Sequence, residues 1–256
     1  MNLIGTEFED GVLTITLRDE ENRNALSVEL TSELAQTLDE AESNSEVRVI
    51  VLTNSGRVFC AGADLSERSS RKKNTSQTKP VDPLEIFSRF RKSSKPYIGK
   101  ITGHCVAGGM GIAAAMDISI AIEEAKFGFT EVRIGVAPAM ISVLCLPKMR
   151  SAEASEAFLR GNRFSASEAA RMGLINAAVP ANEIDSAVQE VVSDIKAGGP
   201  EAIAAAKQLI LRVPQMQFDE AFNWTSELSS NLFKSEEAQE GMQAYLDKRP
   251  PSWMNE

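Results

Sequence analysis

The chain is poor in the side chains that most often do chemistry. It has one histidine and three cysteines in 256 residues and no Cys-x-x-Cys pair, too few ligands for a structural zinc or a two-histidine iron site. Cys60, Cys105 and Cys145 are odd in number and far apart, which excludes a disulfide framework and fits a reducing compartment. There is no G-x-S-x-G nucleophile elbow, and the lone His104 sits in a glycine turn, where it reads as structural. No G-x-x-x-x-G-K-[ST] phosphate loop occurs. No apolar run approaches about eighteen residues, and the start, M-N-L-I-G-T-E-F-E-D, has no basic segment followed by a hydrophobic one, so a cytoplasmic protein without a membrane segment is expected. Basic residues are outnumbered, 27 Lys and Arg against 36 Asp and Glu for a net charge of −9, a background that argues against nucleic-acid binding. The chemistry must come from carboxylates, backbone amides or a bound cofactor.

What the chain has in quantity is apolar residues, 43% of the total, ample for a sizeable core. E-F-E-D-G-V-L-T-I-T-L (7–17) places Val12 or Leu13, Ile15 and Leu17 near period two around Asp-Gly, the pattern of a hairpin. Ser27 is placed to cap a helix carrying Val28, Leu30, Leu34 and Leu38, and V-R-V-I-V-L-T (47–53) reads as a buried strand. Residues 66–83 are polar and carry Arg68, Arg71, Lys72, Lys73 and Lys79, the composition of either a solvated loop or a phosphate-contacting lid. A helix at 84–93, a strand at 97–103, a helix at 109–116 and a strand at 118–122 follow, so parallel strands with crossover helices are the natural outcome. From Pro138 the periodicity is helical, over 139–147, 151–160, 165–171, 183–197, 200–212, 217–233 and 235–247, with one apolar stretch at 175–179. The expected division is an α/β core over 1–190 and a helical region over 191–256 packed on it.

H-C-V-A-G-G-M-G-I-A-A-A-M-D (104–117) is small and flexible in its first half and rich in helix formers in its second. A tight turn feeding a helix leaves the first N–H groups without internal partners at the positive end of the macrodipole, where an anion or a developing oxyanion is stabilised. Gly109-x-Gly111-x-x-Ala114, with Glu123 and Glu124 after the next strand, locally imitates a dinucleotide fingerprint. Its place far into the chain, behind an antiparallel hairpin, ranks it second. V-F-C-A-G-A-D-L (58–65) is another strand end running into a tight turn.

Taken with F-G-F-T-E-V-R-I-G (127–135) and the tail S-E-E-A-Q-E-G-M-Q-A-Y-L-D-K-R-P-P-S-W (235–253), these stretches resemble the crotonase superfamily, the enoyl-CoA hydratase/isomerase family, from about residue 7 to the end. The resemblance implies an α/β fold of repeated ββα units wound into a superhelix, then helices that build homotrimers or hexamers. It also implies an acyl-CoA thioester substrate, with no cofactor beyond the CoA it carries and no metal. Matched by motif, the oxyanion donors are the N–H groups of Ala63 and Gly108, and the acid/base is Glu131. Substrate contacts fall to Ala25, Ala61, Asp64, Leu65, Gly111, Met140 and Lys248, with Lys248, Lys72 and Lys73 toward the CoA phosphates.

There are two departures from the family pattern. Gly111 stands where family hydratases commonly carry a first glutamate, so hydration would rest on one carboxylate, and the space beside Gly111 is expected to be open to a bulkier acyl group or to a water. A-P-A-M-I-S-V (137–143) replaces a glycine-rich P-G-A-G-G-T, so Met140 and Ile141 reshape the acyl pocket. This second pattern is similar to members acting on branched or terpenoid glutaconyl-CoA esters. The expected activity is hydration of a 2-enoyl-CoA or its reverse. A double-bond isomerase or CoA-ester ring hydrolase is the nearest alternative, and a nucleotide-dependent oxidoreductase or a non-catalytic acyl-CoA-binding protein the alternatives of another class.

Overall fold

The computed structural model describes residues 2–69 and 81–254; Arg71, Lys72, Lys73 and Lys79 lie outside the described residues. The chain opens with the antiparallel hairpin β1 (Ile4–Glu9) and β2 (Val12–Leu17), in register from Ile4↔Leu17 to Glu9↔Val12. Asp10 and Gly11 both take positive φ, 47° and 73°, the pairing that a two-residue turn needs to match strand twist. Helix α1 (Val28–Ser43) starts where the Ser27 hydroxyl accepts the Leu30 N–H at 3.2 Å, and it buries Leu30, Leu34 and Leu38 on one stripe.

A repeating unit follows. β3 (Val49–Asn54) enters one sheet, β4 (Val58–Cys60) enters a second, and helices α2 (Leu65–Ser69) and α3 (Pro83–Lys92) come after. β5 (Tyr97–Ile101) and β6 (His104–Val106) repeat the move into α4 (Gly108–Ala115), and β7 (Ile118–Ile122) and β8 (Lys126–Gly128) repeat it before α5 (Ala139–Cys145). The rest comprises α6 (Ser151–Arg160), β9 (Phe164–Ser165), α7 (Ala166–Arg171), β10 (Ala177–Val179), α8 (Ile184–Ala197), α9 (Pro200–Arg212), α10 (Phe218–Leu232) and α11 (Glu236–Asp247). The sheets run β1-β2-β3-β5-β7-β10 and β4-β6-β8-β9; all pairings are parallel except β1–β2 and β8–β9. This is the expected ββα winding.

One face of the larger sheet packs on α8 through Val49, Val51, Ile98 and Ile120 against Ile184, Val188 and Val192. The other closes on α4, buried from Gly109 to Ala115. Residue 190 lies inside α8, a helix packed on the sheet, so we place the start of the C-terminal region at Gly198. That region is tied back onto the core. The Arg48 guanidinium donates to the carbonyls of Trp253 (3.0 Å) and Gly198 (2.9 Å); within the region, the Glu237 carboxylate accepts the first N–H groups of α9 from Glu201 and Ala202. No helix among the described residues is long and apolar enough to cross a membrane.

Lys207 anchors α9. Its buried ammonium meets the Asp117 carboxylate at 2.7 Å and the carbonyls of Phe90 and Lys95 at 2.9 and 2.7 Å, three acceptors for three N–H donors. Burial pulls its pKa down and the Asp117 charge pulls it back up. Lys207→Met leaves Asp117 and two carbonyls without their cation and is expected to cost about 3 kcal/mol, read from urea unfolding; an unchanged midpoint would show that the ammonium contributes nothing net.

Candidate active site

Two turns face each other at the C-terminal ends of β4 and β6. Beyond Cys60 the chain reverses at Gly62, φ +88°, and its carbonyl accepts the Leu26 N–H at 2.7 Å as Leu26 and Ala63 form a parallel bridge. Beyond Val106, Ala107 takes φ +50°, rare for a residue with a side chain, and α4 begins at Gly108. The Ala107 N–H is held by the Gly128 carbonyl at 2.9 Å. The turns approach so closely that a Cβ on Gly62 would lie 2.7 Å from the Ala107 methyl and 2.8 Å from the Gly108 nitrogen, and a Cβ on Gly108 would lie 3.6 Å from the Ala63 nitrogen. Glycine at 62 is thus required twice, by its φ and by this approach. The Gly108 N–H opens a helix and has no intrahelical acceptor, and among the described residues neither it nor the Ala63 N–H is hydrogen-bonded. The structure brings these two amides together.

Glu131 comes from the 3-10 turn Thr130–Ile134 after β8, which closes at Gly135 with φ +80°. Its carboxylate is half-buried and its Oε2 is buried with no hydrogen-bond partner. Burial pushes its pKa up, only partly offset by a hydrogen bond to its own backbone. Arg133 does not pair with it, donating instead to the Arg160 carbonyl at 2.8 Å. The three cysteines are all buried, and burial drives Cys60 and Cys145 up to about 12, so none is a ready thiolate.

Other expected contact residues divide. Ala25 is buried and Ala61 spends its N–H on the Arg23 carbonyl; Leu65 is exposed at the start of α2. Asp64 is committed structurally. One oxygen accepts the N–H groups of Ser66 and Glu67 and the Ser66 hydroxyl, and the other accepts the Asn22 amide. Burial alone would raise its pKa, but these bonds outweigh it and hold the carboxyl below its ordinary value. Met140 lies between two cavities. One, of about 650 Å³, is walled by Leu26, Val28, Asp64 and Arg68; the other, of about 580 Å³, by Phe87, Arg91, Val143 and Leu211; Met140 and Leu84 line both.

One expectation needs correction. The space beside Gly111 is filled, since a Cβ there would meet Ile141 Cγ2 at 2.5 Å and Phe87 Cζ at 3.0 Å; the isoleucine of A-M-I-S occupies it. Lys248 caps the end of α11 in a left-handed conformation and lines neither cavity of its own chain. The dinucleotide-like glycines serve packing, Gly109 against the Cys60 carbonyl, 2.6 Å from its would-be Cβ, and Gly111 as above, which leaves no groove beside them for a pyrophosphate. The lone His104 accepts the Lys126 N–H at its Nδ1, 3.2 Å away. Sequence reasoning missed Leu26, whose Cδ1 lies 3.1 Å from a Cβ on Gly108, and Leu84. Leu26 was signalled only by adjacency to Ala25, and Leu84 by the apolar stripe of α3.

A ββα spiral around one buried helix, with that helix's first amide facing a second turn, is the arrangement of a crotonase-fold protein. The family model for enoyl-CoA hydratase/isomerase matches residues 7–256, and the chain belongs to that family. It is 31% identical over 253 residues to a short-chain-enoyl-CoA hydratase of Clostridium acetobutylicum, covering 97% of this chain and 96% of that one. It is 31% identical over 247 residues to the enoyl-CoA hydratase EchA19 of Mycobacterium tuberculosis, covering 95% and 93%. Among solved structures, an enoyl-CoA hydratase from Bacillus anthracis superposes with a TM-score of 0.89 at 28% identity, covering 99% of this chain and 100% of that one.

Proposed function

We propose that the protein adds water across the C2–C3 double bond of a 2-enoyl-CoA thioester and catalyses the reverse elimination. The observation that carries this reading is the buried, unpartnered oxygen of Glu131 in a protein whose facing turns offer the N–H groups of Ala63 and Gly108. The thioester oxygen accepts from both amides. Water oxygen bonds to C3 as Glu131 takes a proton, the electron pair moves through the conjugated system to the thioester oxygen, and C2 then takes the proton back from Glu131. A single oxyanion donor of this kind is worth roughly 3 kcal/mol. The raised pKa of Glu131 brings its acid and base forms closer in free energy at neutral pH. One carboxylate serves both halves of the reaction, since Gly111 supplies no second. CoA arrives with the substrate, and these roles call for no other cofactor.

The CoA portion is assigned to the cavity walled by Leu26, Asp64 and Arg68, and the acyl portion to the cavity beyond Met140 and Leu84; contacts from Ala25, Ala61 and Leu65 are proposed on the motif alone. Arg91 supports an acyl group of the glutaconyl type, ending in a carboxylate. It is half-buried in a wall that also carries Lys92, Arg212 and Glu220, and among the described residues it makes no ion pair or hydrogen bond, so a ligand carboxylate is a fitting partner. We further propose a homotrimer or hexamer, with Lys248 reaching a neighbour's CoA. The support is α10, which buries no residue and leaves Phe218 and Phe222, 79% and 66% exposed, stacked on its surface.

The test is a panel of 2-enoyl-CoA esters, straight-chain and 3-methylglutaconyl, followed by mass spectrometry. A gain of water is expected. A shifted double bond without mass change would make the protein an isomerase, free acid and CoA a hydrolase, and tight binding without turnover a carrier.

A further inference from the structure

The smaller sheet has a face that the proposed chemistry does not use. Cys105, Phe127 and Phe164 are paired neighbours on β6, β8 and β9 and all point into the core. Since side chains alternate along a strand, His104 and Lys126, one residue before Cys105 and Phe127 on the parallel strands β6 and β8, share the opposite, outward face; on the antiparallel β9 the neighbour of Lys126 is Ser165, and Arg163, the residue before β9, lies beside Gly128. On the edge strand the partner of His104 is the half-buried Val58, and Arg57, just before it, accepts the His104 N–H at 3.0 Å with its carbonyl while its charge acts on the His104 ring. Gly128, next on that face after Lys126, adds no side chain.

This is a collection of donors. Arg57, Lys126 and Arg163 are exposed, and among the described residues none of their charged groups makes an ion pair or a hydrogen bond. His104 accepts at Nδ1 from the Lys126 N–H, which fixes the proton on Nε2 and makes that atom a further donor. The Glu168 carboxyl, whose Oε2 accepts the N–H and hydroxyl of Ser165, is held below its ordinary value first by those bonds and then by the charges of Arg171 and Lys126. Carboxylates outnumber basic residues in the chain, 36 against 27, yet Arg57, Lys126 and Arg163 gather here with the Glu168 charge offsetting Lys126 only in part. Like charges so placed repel one another, and a multivalent anion among them removes that repulsion. The field acts on the histidine, whose pKa is lowered first by burial and then by the charges of Arg163, Arg57 and Lys126.

We propose that the outer face of the smaller sheet, formed by Arg57, His104, Lys126 and Arg163, is a binding site for a phosphate-class polyanion, separate from the thioester site. Phosphate oxygens accept from the two guanidinium groups, the ammonium and His104 Nε2–H. Inorganic pyrophosphate and the bisphosphorylated adenosine end of CoA carry the same chemistry, and both are used as probes.

The single histidine makes the site directly observable. In the full-length protein labelled with 15N-histidine, every imidazole signal belongs to His104. Pyrophosphate, or 3′,5′-bisphosphoadenosine, is expected to shift these signals saturably and to move the His104 titration midpoint upward, because a bound anion favours the imidazolium. Sodium chloride at equal ionic strength is expected to do neither. A response to pyrophosphate identifies a free anion as sufficient, and a response to the nucleotide alone identifies CoA as the source. Arg57→Gln with Arg163→Gln, both exposed positions, should weaken binding at least ten-fold while leaving the thermal midpoint and 2-enoyl-CoA turnover unchanged. Chloride reproducing the shifts, or the double variant binding as wild type does, overturns the proposal; neither result bears on the hydratase reading, which the substrate panel decides.

Discussion

Glu131→Gln should turn over a 2-enoyl-CoA roughly 10²–10⁴-fold more slowly than wild type, the usual range for a lost acid/base group, while unfolding at a higher urea concentration at pH 7. The first effect follows from removing the proton carrier and leaving both amide donors, so binding of the CoA ester survives. The second follows from linkage. Burial raises the Glu131 pKa, and a carboxyl raised on folding gives a contribution to stability that is fully present below its unfolded value, about 4.3, and is lost as the pH climbs through the folded one. As the pH climbs, the wild type bears the cost of charging a half-buried carboxylate with one oxygen unpaired, and the neutral amide does not. The stability difference should close as the pH falls below the ordinary carboxylate range. Turnover within a few-fold of wild type would remove Glu131 from the chemistry, and equal stability of the two proteins at every pH would show that its burial carries no penalty.

The second large effect is expected at Gly111. Gly111→Glu should fail to give folded protein, because the side chain would enter Ile141 and Phe87, 2.5 and 3.0 Å from its first carbon, and bring a charge with no partner into that contact. An unpaired buried charge costs several kcal/mol, a large part of a typical total of about 5–15 kcal/mol. Gly111→Ala is the measurable version. Alanine gains about 1 kcal/mol of helix propensity and loses about 1–3 kcal/mol to overpacking, a net loss read from urea unfolding. In an Ile141→Ala background the clash is gone, and the same substitution should become neutral or stabilising, a non-additivity characteristic of touching residues. A Gly111→Glu protein that folds normally and hydrates crotonyl-CoA faster would mean that the position opens onto substrate.

The elements of this fold were legible where they depend on local chemistry. The Ser27 cap, the Asp-Gly turn and the helices at 151–160 and 200–212 each follow from short-range pattern, and they match Ser151–Arg160 and Pro200–Arg212. H-C-V read as part of a turn, yet it forms β6, because strand pairing with Val58 and Phe127 decides a three-residue segment that no periodicity can. The close turns at Ala63 and Gly108 were anticipated through motifs, as was Glu131 as the proposed acid/base. Asp64 and Gly111 read as contacts, but their surroundings come from residues distant in sequence: Asn22 closes around one, Phe87 and Ile141 around the other. Lys207 gave no sequence signal at all, since its partners Phe90, Lys95 and Asp117 come from α3 and two separate loops.

The lock between Gly62 and Ala107 also sets what mutagenesis can see. Under the proposed roles, an alanine scan would pass over both oxyanion donors: residue 63 is already alanine, and what Gly108 supplies is a peptide N–H that every substitution except proline retains. Changes at Gly62 or Ala107 would disturb both turns together and could not apportion the effect. Only chemistry on the main chain isolates a single donor. Replacing the amide that precedes Ala63 or Gly108 with an ester, by semisynthesis, exchanges one N–H for an oxygen and leaves every side chain in place, so each donor's share of the barrier becomes a measurable difference between two proteins of identical side-chain sequence.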